Sequence, residues 1–251
     1  MFYKALITIS FDDGLISQYE NAFPLFKSRN IPATVFINTF RVSRKGVMGI
    51  LNSNRMNIEQ LRELQNSGWE IGSHTVFHPY LTKVNRFRLV YELKESKRWL
   101  SSRGFIVETI SYPYGDYNEK VTEIAKRYYK IARIGGSKTY VGYKPQDIID
   151  RFNYQGIRIT KFTTVNQIKK WVDLAIEKKE WIHFNLHNVA ENKKKSQMVE
   201  VDISMTNLER IILYISSLSR DGLLEPVTFY KGFEKYKELI KEYLMSGTSL
   251  A

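Results

Sequence analysis

The chain contains no cysteine, which excludes disulfide bonds and thiolate metal sites. Any metal must therefore be held by carboxylates and histidines, and histidine is itself scarce, at four residues. The lack of cysteine fits a reducing compartment. No run approaches the roughly 20 apolar residues that a membrane-spanning helix needs. Residues 1–9 are too short for a secretory signal, so we expect a cytoplasmic protein unless the chain has been trimmed.

Acidic residues are also few, at 26 against 38 lysines and arginines, which gives a formal charge of +12. This excess favours anionic partners such as phosphorylated glycans, lipid headgroups or nucleic acid. A solvated, lysine-rich surface is the simpler interpretation, and the run 193–195 fits a solvated loop. We expect weak association with an anionic membrane surface at most. Nucleic-acid binding is not expected, because no basic stripe alternates regularly with aromatic residues.

The length of 251 residues suits one domain over 1–251, with a flexible tail at 246–251. Strand and helix patterns alternate without a linker or repeat, and such alternation predicts a parallel sheet closed into a barrel. Strands are predicted at 6–10, 33–38, 69–73, 109–112, 130–134, 157–160, 181–186 and 227–229. Helices are predicted at 18–29, 58–66, 85–100, 118–128, 164–178, 204–218 and 231–244.

Polar clusters follow several of these strands, at the rim where barrel enzymes place their active sites. Asp12 and Asp13 follow the first strand. If one of them binds a metal, the other is free to act as a base on the bound water. Asp-Asp-Gly is also a common turn sequence, so the pair alone does not establish a site.

His74 and His78 are spaced i and i+4, which predicts one face of a helical turn, as in zinc-binding H-E-x-x-H. With Asp13 they make three ligands, and such a site keeps positions for water and substrate. Zinc is the first choice, and cobalt, nickel, manganese and iron suit the same ligands. The structural alternative is that one histidine caps the Gly72-Ser73 turn and the other packs on Tyr80.

Two further strand ends carry chemistry. The turn at 111–115 contains Pro113 and a glycine, and its backbone N–H groups could hold an oxyanion. His187 ends the strand 181–186 and could protonate a leaving amine. His183 lies deeper in the same strand, and we interpret it as a buried, hydrogen-bonded structural residue.

Together these segments resemble the polysaccharide deacetylase family, the NodB-homology carbohydrate esterases. The resemblance runs from about residue 6 to 229. Residues 10–14 match T/S-F-D-D-G, residues 74–79 match H-S/T-x-x-H-P, residues 111–115 match the variant A/S-Y-P-Y-G, and residues 186–188 match the last motif. The resemblance implies a distorted, TIM-like (β/α)7 barrel in a single domain.

The resemblance also implies a role for each motif residue. Asp12 would be the general base and His187 the general acid. Asp13, His74 and His78 would hold the metal. The backbone N–H of Tyr114, which follows Pro113, would help to hold the oxyanion. Leu186 would help to line the pocket for the acyl methyl group.

The sequence departs from the family pattern in two places. Ser111 stands where the third motif usually has an arginine that pairs with the base. The Asp-Trp segment that orients the acid histidine is not evident. Our hypothesis is that Arg158 supplies the missing cation.

The predicted function is metal-dependent removal of an acetyl group from a sugar, glycan or glycolipid. An N-acetyl group is the first choice of substrate and an O-acetyl group the second. One alternative is a hydrolase of small amides or cyclic imides. Another is an inactive glycan-binding protein, which the intact set of motif residues disfavours. The sequence leaves the native metal, the sugar and the oligomeric state open.

Overall fold

A computed structural model of the chain describes residues 4–43, 54–147, 150–191 and 198–246. The run 193–195 and the predicted tail, apart from Ser246 at the end of the last helix, lie outside these ranges. The strands are β1 Ala5–Phe11, β2 Thr34–Ile37, β3 Glu70–Ser73, β4 Thr109–Ser111, β5 Ile131–Arg133, β6 Gly142–Tyr143, β7 Ile157–Arg158, β8 Trp181–Leu186, β9 Asn188–Ala190, β10 Asp202–Ser204 and β11 Leu224–Pro226. The helices are α1 Phe23–Lys27, α2 Ile58–Asn66, α3 Arg86–Ser101, α4 Glu119–Ala125, α5 Val165–Lys178, α6 Met205–Arg220 and α7 Phe229–Ser246.

Strand β1 lies in the middle of a curled sheet with the order β5-β4-β3-β2-β1-β8-β6. All pairs along it are parallel except β6 with β8. β11 adds to the start of β1, and β7 adds to β8. Isolated bridges, Arg133 with Tyr154 and Ser137 with Ile157, continue the ring from β5 towards β7. The fold is therefore the expected distorted (β/α)7 type of barrel, with its parallel sheet curled into a half-barrel.

The two faces of β1 explain why the site lies at one end of the sheet. Ile7, Ile9 and Phe11 pack in the larger core, which the helices cover, whereas Leu6 packs with a separate aromatic cluster. That cluster contains Tyr154, Trp181, Phe229 and Tyr236. Burying Leu6 or Phe229 contributes about 1.5–3 kcal/mol each. Apolar packing thus covers one face of β1 along its length, whereas the other face is apolar at Leu6 and becomes polar at Thr8 and Ser10, towards Asp12.

The short strands β6, β9 and β10 are not among the predicted elements, and the last strand lies elsewhere than predicted. The last strand is Leu224–Pro226 rather than 227–229, and Phe229 begins helix α7. The backbone N–H groups of Phe229 and Tyr230 donate to side-chain oxygens of Thr34 and Glu70, and these acceptors start the helix.

None of the described helices is both long and apolar enough to cross a membrane.

The predicted helix 18–29 is divided. A π-helical turn, Gln18–Ala22, precedes α1, which has Pro24 in its first turn. Proline has no N–H to donate to the preceding turn, so the regular α-helical hydrogen bonds cannot run through this segment. The division matters because Gln18 faces the candidate site described below.

Candidate active site and metal centre

The predicted site residues follow the carboxyl ends of four strands. Asp12 and Asp13 follow β1, His74 follows β3, the turn Pro113–Gly115 follows β4, and His187 follows β8. In a curled parallel sheet these ends meet at one rim. The structure brings the two aspartates and three histidines together there, as the contacts below establish.

Asp13, His74 and His78 form a compact group of metal-ligand atoms. One ligand atom from each lies within 4.8 Å of the others. Nε2 of His74 is 3.0 Å from Nε2 of His78, and the latter is 3.8 Å from Oδ1 of Asp13. Nitrogens bonded to a tetrahedral zinc at about 2.0–2.1 Å stand roughly 3.3 Å apart, so this donor set fits a divalent ion.

Protonation of the histidines also suits a metal. Nδ1 of His74 lies 2.7 Å from the backbone oxygen of Ser111, which can only accept a hydrogen bond. In the neutral ring the proton therefore sits on Nδ1, which leaves the Nε2 lone pair for a metal. Burial and the neighbouring His74 lower the pKa of His78 to about 4, so its ring is neutral at neutral pH. Both rings are thus able to ligate.

The loop between these two histidines is not the predicted helical turn. Thr75 has φ 67° and His78 has φ 61°, so both adopt left-handed backbone conformations. Pro79 follows directly and disfavours the right-handed helical conformation at His78. Side chains replace the helical hydrogen bonds: Ser73 Oγ accepts from the Thr75 N–H at 3.2 Å, and Thr75 Oγ1 accepts from the His78 N–H at 3.0 Å.

Positive φ angles concentrate at this rim. In the described ranges six residues other than glycine have positive φ, and four of them belong to the site motifs: Asp13, Thr75, His78 and Tyr114. Such conformations cost about 1–3 kcal/mol each and persist where the surroundings enforce them. Their clustering at the metal-ligand group is a mark of a functional site.

Asp12 is buried beside a cation that the sequence analysis missed. Nη2 of Arg133, from the end of β5, lies 2.6 Å from both carboxylate oxygens of Asp12 and 2.6 Å from Ser111 Oγ. Burial alone would raise the pKa of Asp12. Arg133, with His74 and His187, outweighs that effect and holds the pKa well below its ordinary value. Asp12 is therefore a carboxylate at any working pH.

The prediction that Arg158 supplies this cation is wrong. Its guanidinium lies 3.7 Å from the carboxylate of Glu200, and its side chain is 32% exposed. Arg133 takes that place because β5 ends beside β4, where Ser111 leaves room and accepts a hydrogen bond. The available signal was an arginine closing a strand that is otherwise apolar and buried, Ile131-Ala132-Arg133.

His187 faces the same carboxylate from the other side. Its Nε2 is 3.7 Å from Oδ2 of Asp12. The buried side chain of Gln18 donates to the backbone oxygens of Asp12 at 2.6 Å and of His187 at 2.9 Å, which fixes the two loops together. Burial lowers the pKa of His187, with Asp12 and Asp13 opposing the shift. Nδ1 of His187 has no hydrogen-bond partner in the described ranges, in keeping with the missing fourth-motif aspartate.

The other predicted residues occupy distinct places. His183 is buried and 2.7 Å from Ser10 Oγ, which confirms its structural interpretation. Leu186 is part of the hydrophobic core. Pro113 is buried, whereas the ring of Tyr114 is exposed, stacks on Tyr80 at 4.1 Å and meets His78 edge-on at 4.6 Å. Roles for Leu186, Pro113 and Tyr114 in holding substrate stay predictions.

A family profile described as "Polysaccharide deacetylase" matches residues 3–130, just over half of the chain. The chain belongs to the polysaccharide deacetylase family. The match contains Asp12, Asp13, His74 and His78, whereas Arg133 and His187 lie beyond it. Arg133 is assigned to the site by geometry alone, and His187 by geometry together with the last sequence motif.

Curated relatives in the family include two bacterial proteins. A poly-beta-1,6-N-acetyl-D-glucosamine N-deacetylase of Staphylococcus aureus (strain N315) is 33% identical over 137 residues, which cover 50% of this chain and 46% of the relative. A putative polysaccharide deacetylase, YxkH of Bacillus subtilis, is 31% identical over 123 residues, covering 48% of this chain and 41% of the relative. The matches thus span less than half the length of these relatives.

Solved structures agree with the family assignment. The Streptococcus pyogenes deacetylase PplD, solved in complex with acetate, is 25% identical with a TM-score of 0.57, over 65% of this chain and 68% of that one. The peptidoglycan deacetylase PdaC of Bacillus subtilis is 18% identical with a TM-score of 0.59, over 98% of each chain, and at that identity the likeness concerns the fold alone.

Proposed function

We propose that this protein is a metal-dependent hydrolase that removes the acetyl group from an N-acetylated sugar, glycan or glycolipid. The observation that carries the proposal is the pairing, on one rim, of a three-ligand group with a separate buried carboxylate. The ligand atoms of Asp13, His74 and His78 lie within 4.8 Å of one another. Asp12 is not part of this group, and its carboxylate contacts Arg133 and His187 instead. Ligands and base are thus separate, as hydrolysis by an activated water requires.

We assign the metal to Asp13, His74 and His78, and zinc is the first choice, with cobalt, nickel, manganese or iron as alternatives. A divalent ion bound there would supply charge stabilisation for the substrate carbonyl and lower the pKa of a bound water. The protein's part is to orient His74 and His78 so that each presents a ring nitrogen to the ion. The Ser111 carbonyl faces Nδ1 of His74 and fixes that ring, and burial keeps the ring of His78 neutral.

Asp12 is the proposed general base. Arg133 keeps it ionised in a buried place, so it is ready to accept a proton from the attacking water. Its oxygen Oδ2 lies 3.7 Å from His187 Nε2, and the receiving and donating groups therefore face the same space. General acid–base catalysis of this kind contributes about 10²- to 10⁴-fold to a rate.

His187 is the proposed general acid, delivering its proton to the departing sugar nitrogen. Burial lowers its pKa, and the Asp12 carboxylate 3.7 Å away opposes that shift and so favours the protonated ring that this role requires. The backbone N–H of Tyr114, in the turn that Pro113 fixes, is proposed to donate to the oxyanion. Leu186 is proposed to contact the acetyl methyl group. Tyr114 has a left-handed backbone conformation, with φ 59°, and such strained residues are typical of functional sites.

We propose a β-linked N-acetylglucosamine polymer as the first substrate to try. The Staphylococcus aureus relative is named for poly-beta-1,6-N-acetyl-D-glucosamine. The exposed rings of Tyr80 and Tyr114 beside His78 support a carbohydrate, because a flat aromatic surface suits the apolar face of a sugar.

The purified protein is expected to release acetate from N-acetylglucosamine oligomers, with a free amine formed for each acetate. Both products can be quantified, alongside an O-acetylated oligosaccharide, a small N-acetyl amide and a cyclic imide. Release from the N-acetylated oligomers alone supports the proposal. Turnover of the small amide or imide in their place would reassign the protein as a small-amide hydrolase, and binding without any turnover would make it a glycan-binding protein.

A further inference from the structure

The loop that joins the two histidine ligands is braced from helix α3 by a residue outside every motif. The backbone N–H groups of Val76 and Phe77 both donate to Oε2 of Glu92, at 2.9 and 2.8 Å. Glu92 is fully buried, and its carboxylate is therefore a fixed acceptor inside the protein. These are the two loop residues that stand between Thr75 and His78, both of which have positive φ.

The second oxygen of Glu92 extends the brace. Nε of Arg88 donates to Oε1 of Glu92 at 2.8 Å. The guanidinium of Arg88 in turn lies over the ring of Phe77, 4.5 Å from its centroid. The loop is thus held by its backbone and by a side chain, and the buried charge of Glu92 is matched by an arginine on its own helix.

We propose that Glu92 is a positioning residue that sets the geometry of the metal ligand His78. This inference rests on the proposed metal centre. A left-handed residue costs energy, and it persists only where neighbours enforce it. Hydrogen bonds to the one carboxylate fix the two peptide planes that carry the N–H groups of Val76 and Phe77. Thr75 Oγ1 holds the next plane, which carries the N–H of His78. Without the bonds to Glu92 the loop can relax, and the His78 ring then moves away from His74 and Asp13.

Zinc affinity of the metal-free protein, measured by competition with a chromophoric chelator, tests the proposal. Glu92→Ala is expected to weaken zinc binding by about 10- to 100-fold, the usual effect of losing a residue that orients a ligand. Glu92→Gln should retain more affinity than Glu92→Ala, because its amide oxygen can still accept from both N–H groups, whereas its amide nitrogen cannot accept from Arg88. Glu95→Ala is the matched control: Glu95 lies on the same helix, pairs with Arg98, and should leave the affinity unchanged.

The visible spectrum of the cobalt-substituted protein gives a readout that a general loss of stability would not move. The cobalt absorption bands should change in Glu92→Ala and not in Glu95→Ala, because they report ligand geometry. If Glu92→Ala does not fold, Glu92→Asp replaces it. Glu92→Asp keeps the charge but withdraws the carboxylate by one methylene group, and it should also weaken zinc binding.

Two results would overturn the inference, and they are distinguishable. Folded Glu92→Ala or Glu92→Asp with wild-type zinc affinity and cobalt spectrum would remove Glu92 from the metal centre and leave the proposed function intact. Failure of the wild-type protein to bind any of zinc, cobalt, nickel, manganese and iron would overturn the metal centre, and this inference with it.

Discussion

Replacing Arg133 with methionine is expected to lower kcat/KM for acetate release by about 100-fold or more, the lower end of what acid–base catalysis contributes. Arg133 donates to both oxygens of Asp12 at 2.6 Å in a buried place. Methionine has a similar volume and cannot donate, so Asp12 loses the hydrogen bonds that orient it and the charge that keeps it ionised.

The pH profile separates this electrostatic role from a purely structural one. Burial raises the pKa of Asp12 and Arg133 is the foremost group that lowers it, so removing Arg133 leaves burial less opposed. The pKa of the base should therefore rise. Because the base must be unprotonated, activity is lost as the pH falls through that pKa. The acid limb of kcat/KM is thus expected at higher pH in Arg133→Met than in wild type.

Two companion variants control for folding. Removing one partner of a buried ion pair costs about 3–5 kcal/mol of stability, so Arg133→Met must be assayed below its melting temperature. Arg133→Lys keeps the charge and should recover part of the activity and of the wild-type acid limb. Arg127→Met makes the same change at an exposed arginine six residues earlier in the chain and should have no effect. A folded Arg133→Met with wild-type rate and pH profile would contradict the role given to Arg133.

Replacing Asp12 with asparagine is expected to reduce acetate release by about 10³-fold or more, because an amide cannot take up the water proton at neutral pH. Asparagine has the same shape and can still accept a hydrogen bond from Arg133. Zinc binding should survive, since the three ligand residues are untouched. The measurements are the initial rate of acetate release and the zinc content of the same sample.

Asp13→Asn is the matched comparison, because the same chemical change is made one residue further on. It is expected to lose both zinc and activity, since the neutral amide is a weaker ligand than the carboxylate. The two variants should thus differ in metal content and agree in inactivity. Loss of zinc in Asp12→Asn with retention in Asp13→Asn would exchange the roles of the two residues.

Much of this site could be predicted because its residues lie at the ends of strongly patterned strands. The run Ala5–Phe11 is buried throughout, and the polar residues that follow it have to lie at the rim. The predicted helix 58–66 has its observed bounds, because Asn57 caps its start, a local signal that the structure extends to a capping box with Gln60. The bounds of a helix can be predicted in this way when the residues that cap it lie next to it in the sequence.

What the sequence did not predict depends on contacts between distant segments. Arg133 reaches Asp12 across 121 positions, and the choice between Arg133 and Arg158 is made by which strand end lies beside β4. The His74–His78 spacing fits a helix equally well, and the loop form follows from acceptors on Ser73, Thr75 and Glu92. Spacing alone does not reveal such acceptors.

Metal dependence is the central claim, and acetate release before and after metal removal tests it most directly. The same sample of wild-type protein would be assayed on N-acetylglucosamine oligomers as purified, after chelation with the chelator dialysed away, and after addition of zinc or cobalt. The metal-free sample is expected to release no acetate, and one equivalent of zinc or cobalt should restore the rate. An undiminished rate in protein shown by mass spectrometry to contain no metal would contradict the account.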